Sequence, residues 1–401
     1  MSSVDTAQVR IGRAQKRALA LGVVGFLVAV ILGWTASQKA GAVAWQAFVQ
    51  SYIFAYVFWV AIPLGCLAIL MLHHLTGGWW GLPIRRILEA GSRTLLLMGV
   101  LFIPILAGLS RLYSWARPEV VKDDVLLQHK LWYLTTRFFT LRAVIYFAIW
   151  VILASFLNRW SAEQDRTGDR RFKDRMEALA GPGLVLWGLT VTGAAIDWVM
   201  SLDPHWYSTI YGMIFMVIGC LAAMSFSVVV LSRLSDSEPL MDCVQPKRFL
   251  DIGNLMLAFV MLWTYMSFSQ FLIIWSGNLR SEIPWYQQRV FGKWAPIAVT
   301  LLVLHFFVPF LLLLQRGVKR RLHVLSRVAG LLLVLTLVDI YWLLVPSYET
   351  LAPQFRLLDI FAVMGIGGVW LAAFLGQLKK LPLLPLHDPR FEGVLEHGHG
   401  D

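Results

Sequence analysis

Arg142, Asp197, His305 and Asp339 fall inside long apolar runs of this 401-residue chain, where an ionisable side chain has little water to solvate it. An Arg, Lys or Asp at the centre of a membrane helix costs about 2.5–3.5 kcal/mol on insertion scales, so such residues usually face a bundle interior and pair. Two kinds of chemistry suit them: a buried ion pair that ties helices together, or a relay that passes protons. The stretch DWVMSLDPHWYSTIYG at 197–212 poses the choice most sharply. It carries Asp197, Asp203 and His205, has no lysine or arginine, and holds Trp198, Trp206 and Tyr207, residue types that anchor helices at a membrane interface. Asp203 precedes a proline, which favours an extended residue and a helix boundary. Asp197 lies about one helical turn, roughly 5 Å, below Ser201. Arg142 reaches a comparable depth in the preceding run, and Asp197 and Asp339 are its candidate carboxylates. His305, deeper, could carry a relay inward, with Asp251, Glu89 and His74 opening it to the other surface. Plainer readings stand beside these. Arg137 can snorkel to headgroups, Asp251 can be a first-turn acid favoured by the helix dipole, and His305 can be a packed histidine bonded to a neighbouring helix. The polar stretch Tyr265, Ser267, Ser269 and Gln270 can be glue between helices.

The elements that must position these residues follow from composition. The chain is 58% apolar and only 15% charged. A hydrocarbon core about 30 Å thick needs about 20 apolar residues per helical crossing. Ten runs qualify, at roughly 18–34, 47–72, 92–110, 132–157, 179–200, 206–232, 249–275, 295–315, 325–345 and 358–378. They are continuous rather than alternating, which argues against a barrel, and helices satisfy their own backbone groups, as lipid requires. The fold class expected is an all-α polytopic membrane protein of about ten transmembrane helices, a single integral membrane domain over 1–401. The segment RWSAEQDRTGDRRFKDRMEA at 159–178 reads as a partly helical, solvated loop.

The net charge of +11 is not spread as a nucleic-acid-binding surface would be. Loops on the side of the first residues collect 24 Lys and Arg, and those on the other side collect nine. By the positive-inside rule both termini are expected in the cytoplasm, and 197–212 then opens on the outer side. The first run is too long for a typical signal-peptide core and nine more follow it, so it reads as an uncleaved helix.

Cys66, Cys220 and Cys243 are isolated, and no CxxC or CxxCH occurs. Cys-ligated iron–sulfur clusters, zinc knuckles and c-type haem attachment are therefore not expected in this chain. Of the histidines only His305 is clearly mid-span, which disfavours a bis-histidine haem. No Walker A segment, GxSxG or HExxH is present, and the glycines of GGWWG and GIGG do not follow a strand. The two histidines of the tail LEHGHGD read as part of a disordered end.

Six stretches in order carry a family resemblance: HHLTGGWWGLPIRRILEA at 73–90, HKLWYLTTRFFTLRAVIYFAIW at 129–150, DWVMSLDPHWYSTIYG at 197–212, AFVMLWTYMSFSQFLIIWSGNL at 258–279, IPWY at 283–286 and HFFVPFLLLL at 305–314. Together they resemble the second NrfD-like membrane subunit of bacterial alternative complex III, a quinol:electron-acceptor oxidoreductase. After SGNL the family leads one to expect an acidic pair, and this chain has Arg280, Ser281 and Glu282 instead. The resemblance implies two four-helix bundles, from spans two to five and six to nine, with two peripheral helices. It implies the bacterial inner membrane as location. The partners it implies are a sister NrfD-like subunit, an iron–sulfur subunit and c-type haem subunits, with room for a terminal oxidase. The redox centres would then sit in those partners, with none in this chain, which would supply scaffold and a candidate proton path. A quinone-binding catalytic subunit and a secondary transporter are the competing readings. The transporter reading has Pro63, Pro104 and Pro309 within spans, but no Gly/Pro pair recurs in matching halves.

Overall fold

The computed structural model describes residues 3–40, 42–235, 246–348, 356–385 and 388. Ten helices are long and apolar enough to cross a membrane: α1 (Gln8–Thr35), α2 (Trp45–Thr76), α3 (Arg85–Ala107), α4 (Thr136–Thr167), α5 (Arg171–Leu202), α6 (Tyr211–Leu234), α7 (Lys247–Gly277), α8 (Gly292–Leu314), α9 (Leu322–Ser347) and α10 (Leu357–Leu378). No strand occurs among the described residues, and the chain is an all-α polytopic membrane protein. Several helix ends continue past the apolar run where charged or amide residues still suit a helix. That is why α3 starts at Arg85 rather than at 92, and α4 runs on to Thr167 rather than stopping near 157. The sixth helix begins later than its apolar run suggests, because Asp203–Pro204 and the residues after it form a turn.

α2, α3, α4 and α5 close a four-helix ring, each packed on the next and α5 back on α2. A second ring follows from α6, α7, α8 and α9. The rings join along α2 and α6, which are the most completely covered spans. There the backbones touch: a Cβ on Gly65 would lie 1.9 Å from the Gly219 carbonyl oxygen, so only glycine permits the crossing. α1 and α10 pair with each other and lie against α2. Their contact is again glycine on glycine, with Gly22 against Gly368 and Gly25 against Gly365. Small residues at such crossings let helices gain dispersion contact that lipid tails alone would not give.

An even number of crossings leaves residues 8 and 378 on one side, called here the termini face. On the opposite face short helices at Leu109–Leu112, Pro118–Asp123, Val125–His129 and Ile283–Val290 cover the ring ends. The core of the first ring is aromatic. Phe102 lies 4.6 Å from Trp198 between ring centroids, Tyr56 donates its hydroxyl to the Met98 carbonyl at 2.9 Å, and Trp150 donates to Thr190 at 2.8 Å.

Candidate functional site

Toward the opposite face of the first ring, Arg142 on α4 meets Asp197 on α5 in a two-pronged ion pair. Nε donates to Oδ2 at 2.7 Å and Nη2 to Oδ1 at 2.8 Å. Tyr146, one turn along from Arg142, donates its hydroxyl to the same Oδ2 at 2.9 Å. Gly193 makes room for it, since a Cβ there would stand 2.4 Å from that hydroxyl oxygen. The third nitrogen of Arg142 donates to the Tyr133 carbonyl at 3.0 Å, and the guanidinium lies over the Tyr133 and Phe138 rings at 3.8 and 4.4 Å. Burial pushes the Tyr133 hydroxyl up to about 12, with the Asp197 charge adding to the effect, so it stays protonated beside the pair. Asp197 is fully buried and its oxygens are committed. A planar fork matched to a carboxylate is the geometry that best repays the desolvation of both ions.

The mouth of DWVMSLDPHW is a separate structure. His205 pairs with Asp124 through Nε2 and Oδ2 at 2.7 Å on the exposed surface. Asp124 also caps the helix Val125–His129, accepting from the Leu126 and Leu127 backbone at 3.0 and 3.1 Å. Its carboxylate is held below the usual range, chiefly by the Leu127 N–H, with His205 and the Leu126 N–H adding to the effect against an opposing desolvation. Asp203 is half-buried in the turn, where Lys130 donates to the Pro204 carbonyl at 2.5 Å. Ser201 bonds the backbone carbonyl of Asp197, not its carboxylate.

At the termini end of the same ring lies a larger polar layer. Glu89 accepts from Arg85 at 2.9 Å, from Arg86 at 2.5 Å and from Ser161 at 2.6 Å. Arg85 also donates to Ser161 at 2.9 Å and pairs with Asp388, while Arg86 pairs with Asp165. Arg93 donates to Asn158 at 2.8 Å, which in turn donates to Ser92 at 3.0 Å. Three arginines face Glu89, Asp165 and Asp388, so the layer is formally charge-neutral. His74 is buried close to this end, its ring 5.9 Å from that of His73.

The second ring is built differently. His305 sits in a π-helical stretch of α8, Leu301–Phe307, where one extra residue per turn widens the helix. Such single-turn widenings occur frequently at functional sites. The imidazole is fully buried, and among the described residues neither ring nitrogen has a hydrogen-bond partner. It lies against Trp263 of α7 at 4.3 Å between centroids, and Trp263 donates its indole N–H to Asp339 of α9 at 2.9 Å. Three helices thus bring a histidine and a carboxyl to two sides of one tryptophan, and among the described residues no ion pair reaches either group. Nearer the opposite face, Ser208 donates to Gln270 at 2.8 Å and Gln270 to Tyr286 at 3.0 Å. Arg289 is buried there over the Trp285 ring at 3.7 Å, and donates to the Leu343 carbonyl and the Ser347 hydroxyl. Burial pulls its guanidinium down to about 10, still protonated at neutral pH.

Of the residues singled out by sequence, Arg142 joins Asp197 rather than Asp339, and His305 joins Asp339 through Trp263. Glu89 and His74 share the termini end of the first ring. Asp197, Glu89 and His74 lie in the first ring, and His305 and Asp251 lie in the second. Asp251 is exposed in the second turn of its helix, where no first-turn acid is found, so the dipole reading of it is corrected. The segment 159–178 is largely helical and mostly exposed, as expected, but it is not solvated throughout. α4 and α5 take nearly all of it, and Ser161 and Gln164 are buried against Arg85. Sequence reading also passed over Tyr146, Trp263 and Arg289. A Tyr four residues after Arg142 on the same helix was the one legible sign among these.

Cys66 and Cys220 are buried free thiols, and among the described residues no group of three His, Cys, Asp or Glu is placed to hold a metal ion. Cys243 and the tail LEHGHGD lie outside the described residues. Compared with known proteins, the chain matches no family model and no curated protein.

Proposed function

We propose that this chain is a membrane subunit of a respiratory quinol-oxidising complex of the alternative complex III type, lying in the bacterial inner membrane with its termini face in the cytoplasm. It serves there as scaffold and carries a proton-exchange site in its second ring. The six sequence stretches support the family reading, and the 24 to nine Lys/Arg asymmetry supports the orientation. Quinol oxidation, haem and iron–sulfur chemistry belong, in this reading, to the partner subunits. One observation carries the proton site: His305 in its widened turn, with both ring nitrogens unbonded and Asp339 beyond the shared Trp263. Imidazole and carboxyl are side-chain types that take up and release protons in acid–base relays. The first ring is the scaffold part, since its two polar layers are paired and neutral.

The test is purification of the tagged chain from native membranes in mild detergent, followed by an optical spectrum and proton-release measurements in liposomes. Co-purifying haem and iron–sulfur proteins are expected. Asp339→Asn and His305→Leu should leave assembly and quinol oxidation intact and lower proton release. A colourless, homogeneous preparation defeats the respiratory reading, and unchanged proton release in both variants defeats the proton site.

A further inference from the structure

A groove of about 630 Å³ runs between α1 and α10, floored by Trp59 of α2. Arg10, Arg13 and Arg17 line its end at the termini face. They recur at three- and four-residue spacing, which stacks them along one side of the helix. All three are exposed, and among the described residues no carboxylate lies within ion-pair distance of any of them. Deeper in, the walls are entirely apolar, with Leu21 on one side and Met364 and Leu371 on the other. Trp59 lies flat over Gly367, where a Cβ would be 2.1 Å from the indole, and donates its N–H to the Val363 carbonyl at 2.9 Å, so its polar atom is satisfied within the wall.

We propose that this groove holds one acyl chain of an anionic phospholipid from the leaflet at the termini face, with Arg10, Arg13 and Arg17 gripping the phosphate. Length supports this occupant. From Leu375 at the mouth to Met364 at the inner end is about 16 Å along the helix, half of a hydrocarbon core about 30 Å thick. The groove therefore spans one leaflet and stops near the midplane. Charge supports it as well, since three adjacent cations without acids attract an anionic headgroup strongly, about fivefold for each arginine. A free phosphate would use the cations but leave the apolar length behind them unused. The glycine contacts that join α1 to α10 hold the two walls together without a ligand, so the groove is present before a lipid enters. The proposal does not rest on the respiratory reading.

The full-length protein, reconstituted in phosphatidylcholine vesicles, is probed with photoactivatable-acyl phosphatidylglycerol and phosphatidylcholine that carry the same chains. Crosslinked peptides locate the label. Phosphatidylglycerol should label α10 around Met364 and Leu371, and unlabelled phosphatidylglycerol should compete on the order of a hundredfold better than phosphatidylcholine. Rising salt should erode that preference, because exposed charges are screened. The triple variant Arg10→Gln, Arg13→Gln, Arg17→Gln should bring the two lipids level, and Leu371→Trp, which leaves every charge in place, should remove the label by filling the groove. Equal labelling by both lipids, a preference indifferent to salt, or no label in the groove from either lipid, as when a partner helix occupies it, would each overturn the proposal. The wild-type competition and salt series decide the matter even if a variant fails to fold.

Discussion

Asp197 and Arg142 each have an ionic partner, and that decides what removing either one does. A buried charge left alone is far more costly than a buried pair, by about 3–5 kcal/mol when one partner is removed. Arg142→Gln should therefore lower the thermal stability of the detergent-solubilised protein strongly, read as loss of the monodisperse chromatographic peak on heating. Replacing both, as Arg142→Met with Asp197→Leu, should recover much of the loss, because apolar groups of similar volume need no partner. Asp197→Asn should impair assembly rather than proton release alone, and lost proton release with intact assembly would count against the ion-pair role. Gly193→Ala is a second probe of the same site. Its methyl would stand 2.4 Å from the Tyr146 hydroxyl oxygen, and overpacking of this kind costs about 1–3 kcal/mol. The same heating assay should show the drop, with no change of net charge to confuse it.

At the scale of elements, several buried polar side chains of the first ring meet another across a helix contact. Ser161 on α4 serves three groups at once, donating to Glu89 and accepting from Arg85 and Arg86. Hydrogen bonds to charged groups contribute about 1.5–3 kcal/mol, so Ser161→Ala should reduce stability by about that amount, and Ser161→Thr, if the extra methyl fits, should restore part of it. On the opposite face the short helix Val125–His129 begins at Asp124, whose folded carboxylate lies below its ordinary value. A lowered acid stabilises above its unfolded pKa and loses that contribution as pH falls through the folded one. Amide exchange at Leu126 and Leu127 should therefore stay protected at neutral pH and rise only below about pH 4, the ordinary Asp range. In Asp124→Ala the protection should already be absent at neutral pH. Ten crossings were legible in the sequence because length and apolarity alone define them. The Arg142–Asp197 pairing was half legible, since depth made the two comparable but could not choose between Asp197 and Asp339. The termini-face layer was not, because Ser161, Gln164 and Asp165 lie past the apolar run, in a stretch whose charge imitates a loop. The irregularity at His305 was legible only through Pro309, which has no N–H to donate to the His305 carbonyl, and that alone does not specify a π-helical turn.

Across the whole molecule, the two rings divide polar groups by kind, with ion pairs at both ends of the first and the histidine–carboxyl site within the second. Which end faces the cytoplasm governs every functional reading. The Lys/Arg asymmetry of 24 to nine favours a cytoplasmic termini face, because short cation-rich loops tend to stay on that side. Two exposed positions report the two faces. Asp169 lies in the three-residue turn between α4 and α5 at the termini face, and Ser281 follows α7 on the opposite one. In a Cys243→Ser background, where Cys66 and Cys220 are buried, Ser281→Cys should react with an impermeant maleimide in intact cells. Asp169→Cys should react only after the membrane is opened. Labelling at 169 in intact cells with none at 281 would turn the orientation over, put the Arg142–Asp197 pair near the cytoplasm, and move the three-arginine groove to the outer leaflet.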